Sequence, residues 1–168
     1  VVDRIEAATE AQDRAAREEL DLAPRVAEAR VLAAVSGVDF PLVALDAYYR
    51  GAQTVAAEDP ACGVRWWALA GISRVEGRHG TFGGARLLAD GQETKPIFGI
   101  PLPAIGETDG GLLDGDPTVD RAVGPMQFIP STWARWGRDG NGDGVADPQN
   151  LYDAAAVAVA APAGPGGG

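Results

Sequence analysis

The residue of this sequence best suited to acid–base chemistry is Glu76. It closes an apolar run from Val64 to Glu76 and lies in the segment Ser73-Arg74-Val75-Glu76-Gly77-Arg78-His79-Gly80. A carboxyl group that keeps its proton near neutral pH can act as a general acid. The negative end of the helix dipole favours this neutral form, and so does the poorly solvated wall that Trp66 and Trp67 are predicted to form.

The basic residues of the same segment act in the opposite direction. Arg74, Arg78 and His79 would stabilise the glutamate anion if their side chains pointed towards it. The sequence does not show where they point. An exposed glutamate at a helix end is therefore the alternative interpretation.

The second feature with possible chemistry is an acidic loop at 139–153. Oxygen-bearing side chains occupy positions 1, 3 and 5 of a calcium-loop pattern, and Gly144 occupies position 6. A carboxylate normally closes such a loop at position 12, where this chain has Asn150, so we expect Asp153, one helical turn later, to close it. The predicted ligands are Asp139, Asn141, Asp143, the Val145 carbonyl, Asp153, and Asp147 through water.

A single loop of this kind predicts a structural Ca²⁺ clip rather than a sensor. Asp147 has a second possible role as the cap of the following helix. A plain Asp/Gly turn without metal is the alternative to the whole prediction.

The composition narrows the possible partners. A net charge of −10 and a pI of about 4.4 argue against nucleic acid, because no basic patch would offset phosphate repulsion. No apolar run reaches the ~20 residues of a membrane-spanning helix, and the N-terminus lacks the pattern of a signal peptide. The lone Cys62 cannot form a disulfide within the chain.

The elements that position these residues are predicted to be mainly helices. Apolar spacing predicts two helices within 3–35, one over 42–53 after Pro41, and one over 64–76 that Gly77 and Gly80 terminate. A short helix from Ser131 through Trp133 and Trp136 and a last helix from about Pro148 follow. A Pro/Gly tail, 161–168, is expected to be disordered.

The stretch from 81 to 122 is predicted to be a long irregular insertion that shapes a groove. Asp90-Gly91 suggests a small hairpin between the apolar runs 85–88 and 97–100. Irregular stretches of this length usually shape a binding surface. A disordered insertion is the alternative, and it is disfavoured because apolar residues could anchor the stretch. The apolar residues expected to anchor it are Phe82, Ile97, Phe98, Ile100 and Leu102.

Together, the Glu76 segment, the acidic loop and the segment Ala122-Val123-Gly124-Pro125-Met126-Gln127-Phe128-Ile129-Pro130-Ser131-Thr132-Trp133 resemble the lytic murein transglycosylase B family. These proteins are similar to goose-type lysozyme. The resemblance covers about 60–155, with the three motifs in the same order and spacing. It implies a mainly α, lysozyme-like domain over 1–160, with N-terminal helices at 1–58 and a catalytic core at 59–155.

The resemblance also implies an activity, which is non-hydrolytic cleavage of peptidoglycan between N-acetylmuramic acid and N-acetylglucosamine. Glu76 would be the catalytic acid and then the base, Ca²⁺ the structural ion, and no organic cofactor would take part. Other cell-wall enzymes are possible partners, and the location would be extracytoplasmic, with any export signal already removed. The expected substrate contacts are Gln127, Met126, Ser73, His79, Phe128 and Tyr152.

Two alternatives remain open. The resemblance stops near residue 155, before further helices of such enzymes, which leaves a peptidoglycan-binding module with impaired catalysis as one alternative. The other is a calcium-stabilised interaction domain. Trp133, Trp136, Phe98 and Tyr152 could stack on sugar rings, although helical spacing favours core packing for the two tryptophans.

Overall fold

Two apolar helices packed together form the centre of the computed structural model, which describes residues 40–157. Helix α1 covers Leu42–Glu58 and begins after Pro41, as predicted, but it runs five residues further than expected. The last helix, which we number α4, covers Leu151–Val157 within the described residues, and all of its side chains are buried. Gly51 allows the two helices to touch, because a Cβ atom at this position would lie 2.7 Å from the Ala155 carbonyl oxygen.

Helix α2 covers Trp66–Gly77 and packs against α1. The prediction that a glycine terminates it is wrong in detail. The left-handed residue that ends the helix is Arg78, with φ of 50°, while Gly77 keeps helical geometry. Gly77 serves close packing instead, as its contacts below show.

The expected hairpin at Asp90-Gly91 exists, but its second arm differs from the prediction. The turn is closed by a bridge between Leu87 and Glu93, so the chain returns immediately after the turn. The apolar run at 97–100 instead contributes to strand β1, Phe98–Pro101, which pairs antiparallel with β2, Arg121–Val123. A mainly α fold with a small β insertion is thereby confirmed.

The connection between the two strands is held together mainly by carboxylates. Asp120 is fully buried and accepts hydrogen bonds from the amide and hydroxyl of Thr108, at 2.9 and 2.6 Å. Asp114, also buried, accepts from the Arg121 amide at 2.6 Å. Of the five predicted apolar anchors, only Ile97 is buried, and Phe82, Phe98 and Ile100 are exposed. Polar groups therefore replace the expected apolar anchors.

Helix α3 covers Pro130–Trp136, with Ser131 in its first turn as expected. Trp133 is buried and packs on Phe128 with 5.3 Å between ring centroids, which confirms the core role predicted for it. The two helices expected within 3–35 and the tail at 161–168 lie outside the described residues. Between residues 40 and 157, no helix is both long and apolar enough to cross a membrane.

Candidate functional site

The two motifs of the predicted site are packed directly against each other. Ser73, one turn before Glu76, donates a hydrogen bond to the Pro125 carbonyl at 3.1 Å, and this contact is buried. Gly77, the residue after Glu76, faces the same proline, because a Cβ atom at 77 would lie 2.6 Å from Pro125 O. The fold therefore brings the last turn of α2 and the segment 124–127 together.

The segment 124–127 is a tight turn between β2 and Phe128. Val123 and Phe128 exchange backbone hydrogen bonds of 2.8 and 2.9 Å across its base. Within the turn, Gln127 donates from Nε2 to the Gly124 carbonyl at 2.8 Å, and its Oε1 lies against Gly99 of β1. This half-buried amide therefore connects the turn to the small sheet.

Backbone strain is concentrated in these two motifs. Among residues 40–157, the non-glycine residues with positive φ are Arg78 at 50°, His79 at 57° and Gln127 at 52°. A left-handed conformation costs a non-glycine residue roughly 1–2 kcal/mol, and such strain persists where the surroundings impose it, often at functional sites. The strain thus marks the same two segments as the sequence motifs do.

Glu76 itself is exposed on the last turn of α2. The poorly solvated wall expected from the two tryptophans is not formed, since Trp67 is 61% exposed and Trp66 packs against the core from a half-buried position. Among the residues that the structure describes, clefts of about 530 and 370 Å³ have linings that do not include Glu76. The environment predicted for the acid is therefore wrong for the described chain.

Most of the expected substrate contacts lie beneath the surface. His79 is 4% exposed, and its Nδ1 is hydrogen-bonded to the Tyr48 hydroxyl at 3.0 Å while its ring packs on Phe40. This arrangement gives His79 a positional role rather than a surface for sugar. Buried with it are Ser73, Met126, Phe128 and Tyr152. Gln127 is the member of the expected set that remains partly open to solvent.

Tyr152 is removed from the two motifs and takes part in a different set of contacts. Its hydroxyl donates to Asp46 Oδ2 at 2.8 Å, and the Arg50 guanidinium lies 5.4 Å from its ring centroid. The residue lines the cleft of about 370 Å³ together with Asp90 and Asn141. The structure thus assigns it contacts with α1 and with the acidic loop.

A residue that the sequence analysis missed lies below the Glu76 segment. Glu93 is 6% exposed, and among the described residues neither of its carboxylate oxygens has a hydrogen-bond partner of acceptable geometry. Burial, first, and the nearby Asp147 carboxylate raise the pKa of Glu93, the Ile97 backbone amide lowers it, and the net value is about 8. The neutral form of Glu93 therefore predominates at pH 7. Its position in a polar, glycine-rich stretch gave no sign of burial.

The acidic loop folds back on itself through its own amides. Asp139 accepts hydrogen bonds from the amides of Gly142 and Gly144, at 2.6 and 2.7 Å, and these amides lower its pKa. Asp153 is fully buried and accepts from Gly140 at 2.7 Å and from Asp147 at 2.9 Å, so that it ties both ends of the loop. Burial raises the pKa of Asp153.

This geometry meets the requirements of a calcium site only in part. Loop carboxylates can accept amide hydrogen bonds and still offer lone pairs to an ion. Asp147 uses both of its oxygens, accepting from the Gln149 amide at 2.8 Å and from Gln92 Nε2 at 3.1 Å. Those contacts agree with its alternative role as a cap.

Three acidic side chains outside the loop converge more closely. Carboxylate oxygens of Glu107, Asp109 and Asp120 lie within 4.8 Å of one another. Within residues 40–157, these three side chains are close enough together to hold a metal ion. The carboxylates of the 139–153 loop do not form such a group. Much of the triad is already used by backbone amides, since Glu107 Oε1 accepts from three of them.

Comparisons with protein-family models, with curated proteins and with solved structures found no significant match for this chain.

Proposed function

We propose that this chain is a lytic transglycosylase domain that cleaves peptidoglycan with Glu76 as its only general acid and base. The observation that carries the proposal is the buried contact of Ser73 and Gly77 with Pro125, because it joins the glutamate turn to the glutamine turn. The strained backbones of Arg78 and Gln127 on either side of that contact support it.

The exposure of Glu76 suits a polymeric substrate. A glycan strand needs open access to the acid, and a bound strand would itself displace water from the carboxyl group and raise its proton affinity. Glu76 would then protonate the glycosidic oxygen between N-acetylmuramic acid and N-acetylglucosamine. The resulting carboxylate would take the proton of the muramyl 6-hydroxyl, whose oxygen closes on C1 to give the anhydro ring.

In this proposal Gln127 holds the substrate and does not react. One of its amide N–H groups is used by Gly124, which fixes the side-chain plane. The remaining N–H and the carbonyl oxygen match the acceptor and the donor of an N-acetyl group. A neutral amide at this place also leaves the charge of Glu76 unaltered.

A peptidoglycan-binding module without cleavage is the second proposal. It is favoured by the exposure of Glu76 and by the absence of an apolar wall beside it among the described residues. Binding without products would distinguish this module from the enzyme.

The deciding experiment is digestion of purified, insoluble peptidoglycan by the wild type, by Glu76→Gln and by Glu58→Gln. Glu58 is the matched control, since it is also exposed in the last turn of a helix and lies outside both motifs, where its carboxylate pairs with Arg138 at 2.8 Å. Mass spectrometry of the soluble fraction would reveal anhydromuramyl ends. The enzyme proposal expects these products from the wild type and from Glu58→Gln and their loss in Glu76→Gln.

Other outcomes of the digestion have distinct meanings. Reducing ends in place of anhydro ends would replace the ring closure by hydrolysis. Cosedimentation with peptidoglycan and no products would establish the binding module. Neither products nor cosedimentation would refute both proposals and leave an interaction domain.

We further propose that Ca²⁺ binds the 139–153 loop as a structural clip. An ion that binds only the folded state raises the unfolding temperature by mass action. We expect Ca²⁺ to raise the melting temperature of the wild type and of Asp109→Asn, but not that of Asp139→Asn. The reverse pattern would assign the ion to the triad of Glu107, Asp109 and Asp120, and no shift in any variant would refute the clip.

A further inference from the structure

The buried Glu93 side chain lies directly under the turn that follows Glu76. Its Oε1 faces Gly80 so closely that a Cβ atom at residue 80 would lie 3.1 Å from the oxygen. Leu87, the bridge partner of Glu93, packs against the same glycine. The carboxyl group is therefore enclosed between its own hairpin and the residues that end the Glu76 segment.

The turn above Glu93 is held in an unfavourable backbone conformation. Arg78, His79 and Gly80 are three consecutive residues with positive φ. Backbone hydrogen bonds from His79 to Ser73 at 3.0 Å and from Gly80 to Gly77 at 3.1 Å maintain the turn. A strained segment of this kind keeps its form only while the packing beneath it is undisturbed.

Burial and a neighbouring carboxylate disfavour a charge on Glu93. From the acidic loop, Asp147 adds a negative charge that disfavours ionisation of Glu93. From α1, the Tyr48 hydroxyl carries no positive charge, and burial raises the pKa of this tyrosine. Tyr48 is in turn hydrogen-bonded to His79 of the turn. Ionisation of Glu93 would place a charge where the side chain has little access to water, and this charge would draw water towards the turn.

We propose that Glu93 is a positioning residue for the Glu76 site: its neutral, buried carboxyl group supports the 78–80 turn, and ionisation releases that turn. The inference rests on the proposed function of Glu76 and adds an alkaline limit to it. Because Glu76 lies only two residues before the turn, release of the turn would change where its carboxyl group points. Glu93 itself, being buried, does not touch substrate.

The test compares the full chain with Glu93→Gln, which keeps the shape but cannot ionise, and with the exposed control Glu58→Gln. One readout is the rate of anhydromuramyl release from purified peptidoglycan at pH 7 and pH 9. For an acid with a pKa near 8, the neutral fraction falls about tenfold over this interval. We therefore expect the rate at pH 9, divided by the rate at pH 7, to be about tenfold lower in the wild type than in Glu93→Gln.

The second readout needs no catalytic activity, and it separates failure of this inference from failure of the proposed function. Amide hydrogen exchange of residues 77–81 is compared between the two chains at the same pH, so that intrinsic exchange rates cancel. We expect equal protection at pH 6 and about tenfold faster exchange in the wild type at pH 9, confined to this segment. Equal exchange at pH 9, or a loss of protection spread evenly over the chain, would overturn the inference.

Discussion

Replacing Glu93 by glutamine should change the way in which stability depends on pH. Glutamine has nearly the same size as glutamate and stays neutral, so it removes one titration while it keeps the packing beneath Gly80. The pKa of Glu93 is raised from 4.5 to about 8 in the folded chain, mainly because the carboxyl group is buried. Between these two values the folded state holds a proton that the unfolded state has lost.

The sign of the effect follows from this difference in bound protons. Because the folded state binds the proton more tightly, the wild type has its full stability below pH 4.5 and loses it as the pH rises towards 8. Each pH unit in this window costs about 1.4 kcal/mol. The free energy of unfolding of the wild type should therefore fall by about 3 kcal/mol by pH 7 and by about 5 kcal/mol by pH 8 and above.

The assay is urea unfolding at pH 5, 7 and 9, followed by tryptophan fluorescence, for the wild type, Glu93→Gln and Glu58→Gln. The buried glutamine amide adds a cost that does not vary with pH, so the decisive quantity is the change in the difference between the two chains. We expect the wild type to lose stability relative to Glu93→Gln from pH 5 to pH 9, and Glu58→Gln to stay parallel to the wild type. Parallel curves for Glu93→Gln would show that Glu93 is ionised or hydrated at pH 7 and would refute the reasoning.

Three further substitutions test the packing of the site and the loop by urea unfolding. Gly77→Ala should destabilise the fold by about 1–3 kcal/mol, because its Cβ atom would meet the Pro125 backbone at 2.6 Å. Gly71→Ala in the same helix has open space and should be neutral or stabilising. Equal effects of the two substitutions would contradict the docking of the two motifs. Asp153→Ala without added calcium should cost about 3 kcal/mol or more of unfolding free energy, because backbone amides at both ends of the loop would lose their hydrogen-bond acceptor. The exposed control Asp143→Ala should cost less than about 1 kcal/mol. Gln149→Ala should cost about 2–3 kcal/mol of unfolding free energy, because Gln149 forms hydrogen bonds with both the amide and the carbonyl of buried Ile97. The exposed substitution Gln53→Ala serves as the control. A loss of stability as small as that of the control would show that this link does not hold the sheet.

Local patterns were enough to predict the helices and turns. Pro41 and the spacing of Leu45 and Tyr48 indicated α1, and the turn at Asp90-Gly91 followed from residues adjacent in sequence. These features depend on interactions within a few residues, which the order of residue types already contains. The extra length of α1 beyond residue 53 was missed because its last turns carry small and polar residues, with Val55 as the one buried side chain.

Burial of single polar residues could not be predicted in the same way. Glu76 was expected in a poorly solvated place and is exposed, whereas Glu93 drew no attention and is buried. Both residues have apolar and polar neighbours in the sequence. Whether each side chain faces solvent depends on which distant segment packs against it. For Glu93 that segment is the 78–80 turn, whose Gly80 packs against Leu87 and Glu93 of the hairpin.

The role of Gly77 shows the same division between local pattern and long-range contact. A glycine after a helical run predicts a helix end, and α2 does end there. The sequence does not reveal that Arg78 adopts the left-handed conformation or that Pro125 occupies the space of the missing side chain. Residue type and local spacing set the elements, while the surface that each element presents arises from contacts between segments far apart in the chain, because such contacts alone exclude water from a given side chain.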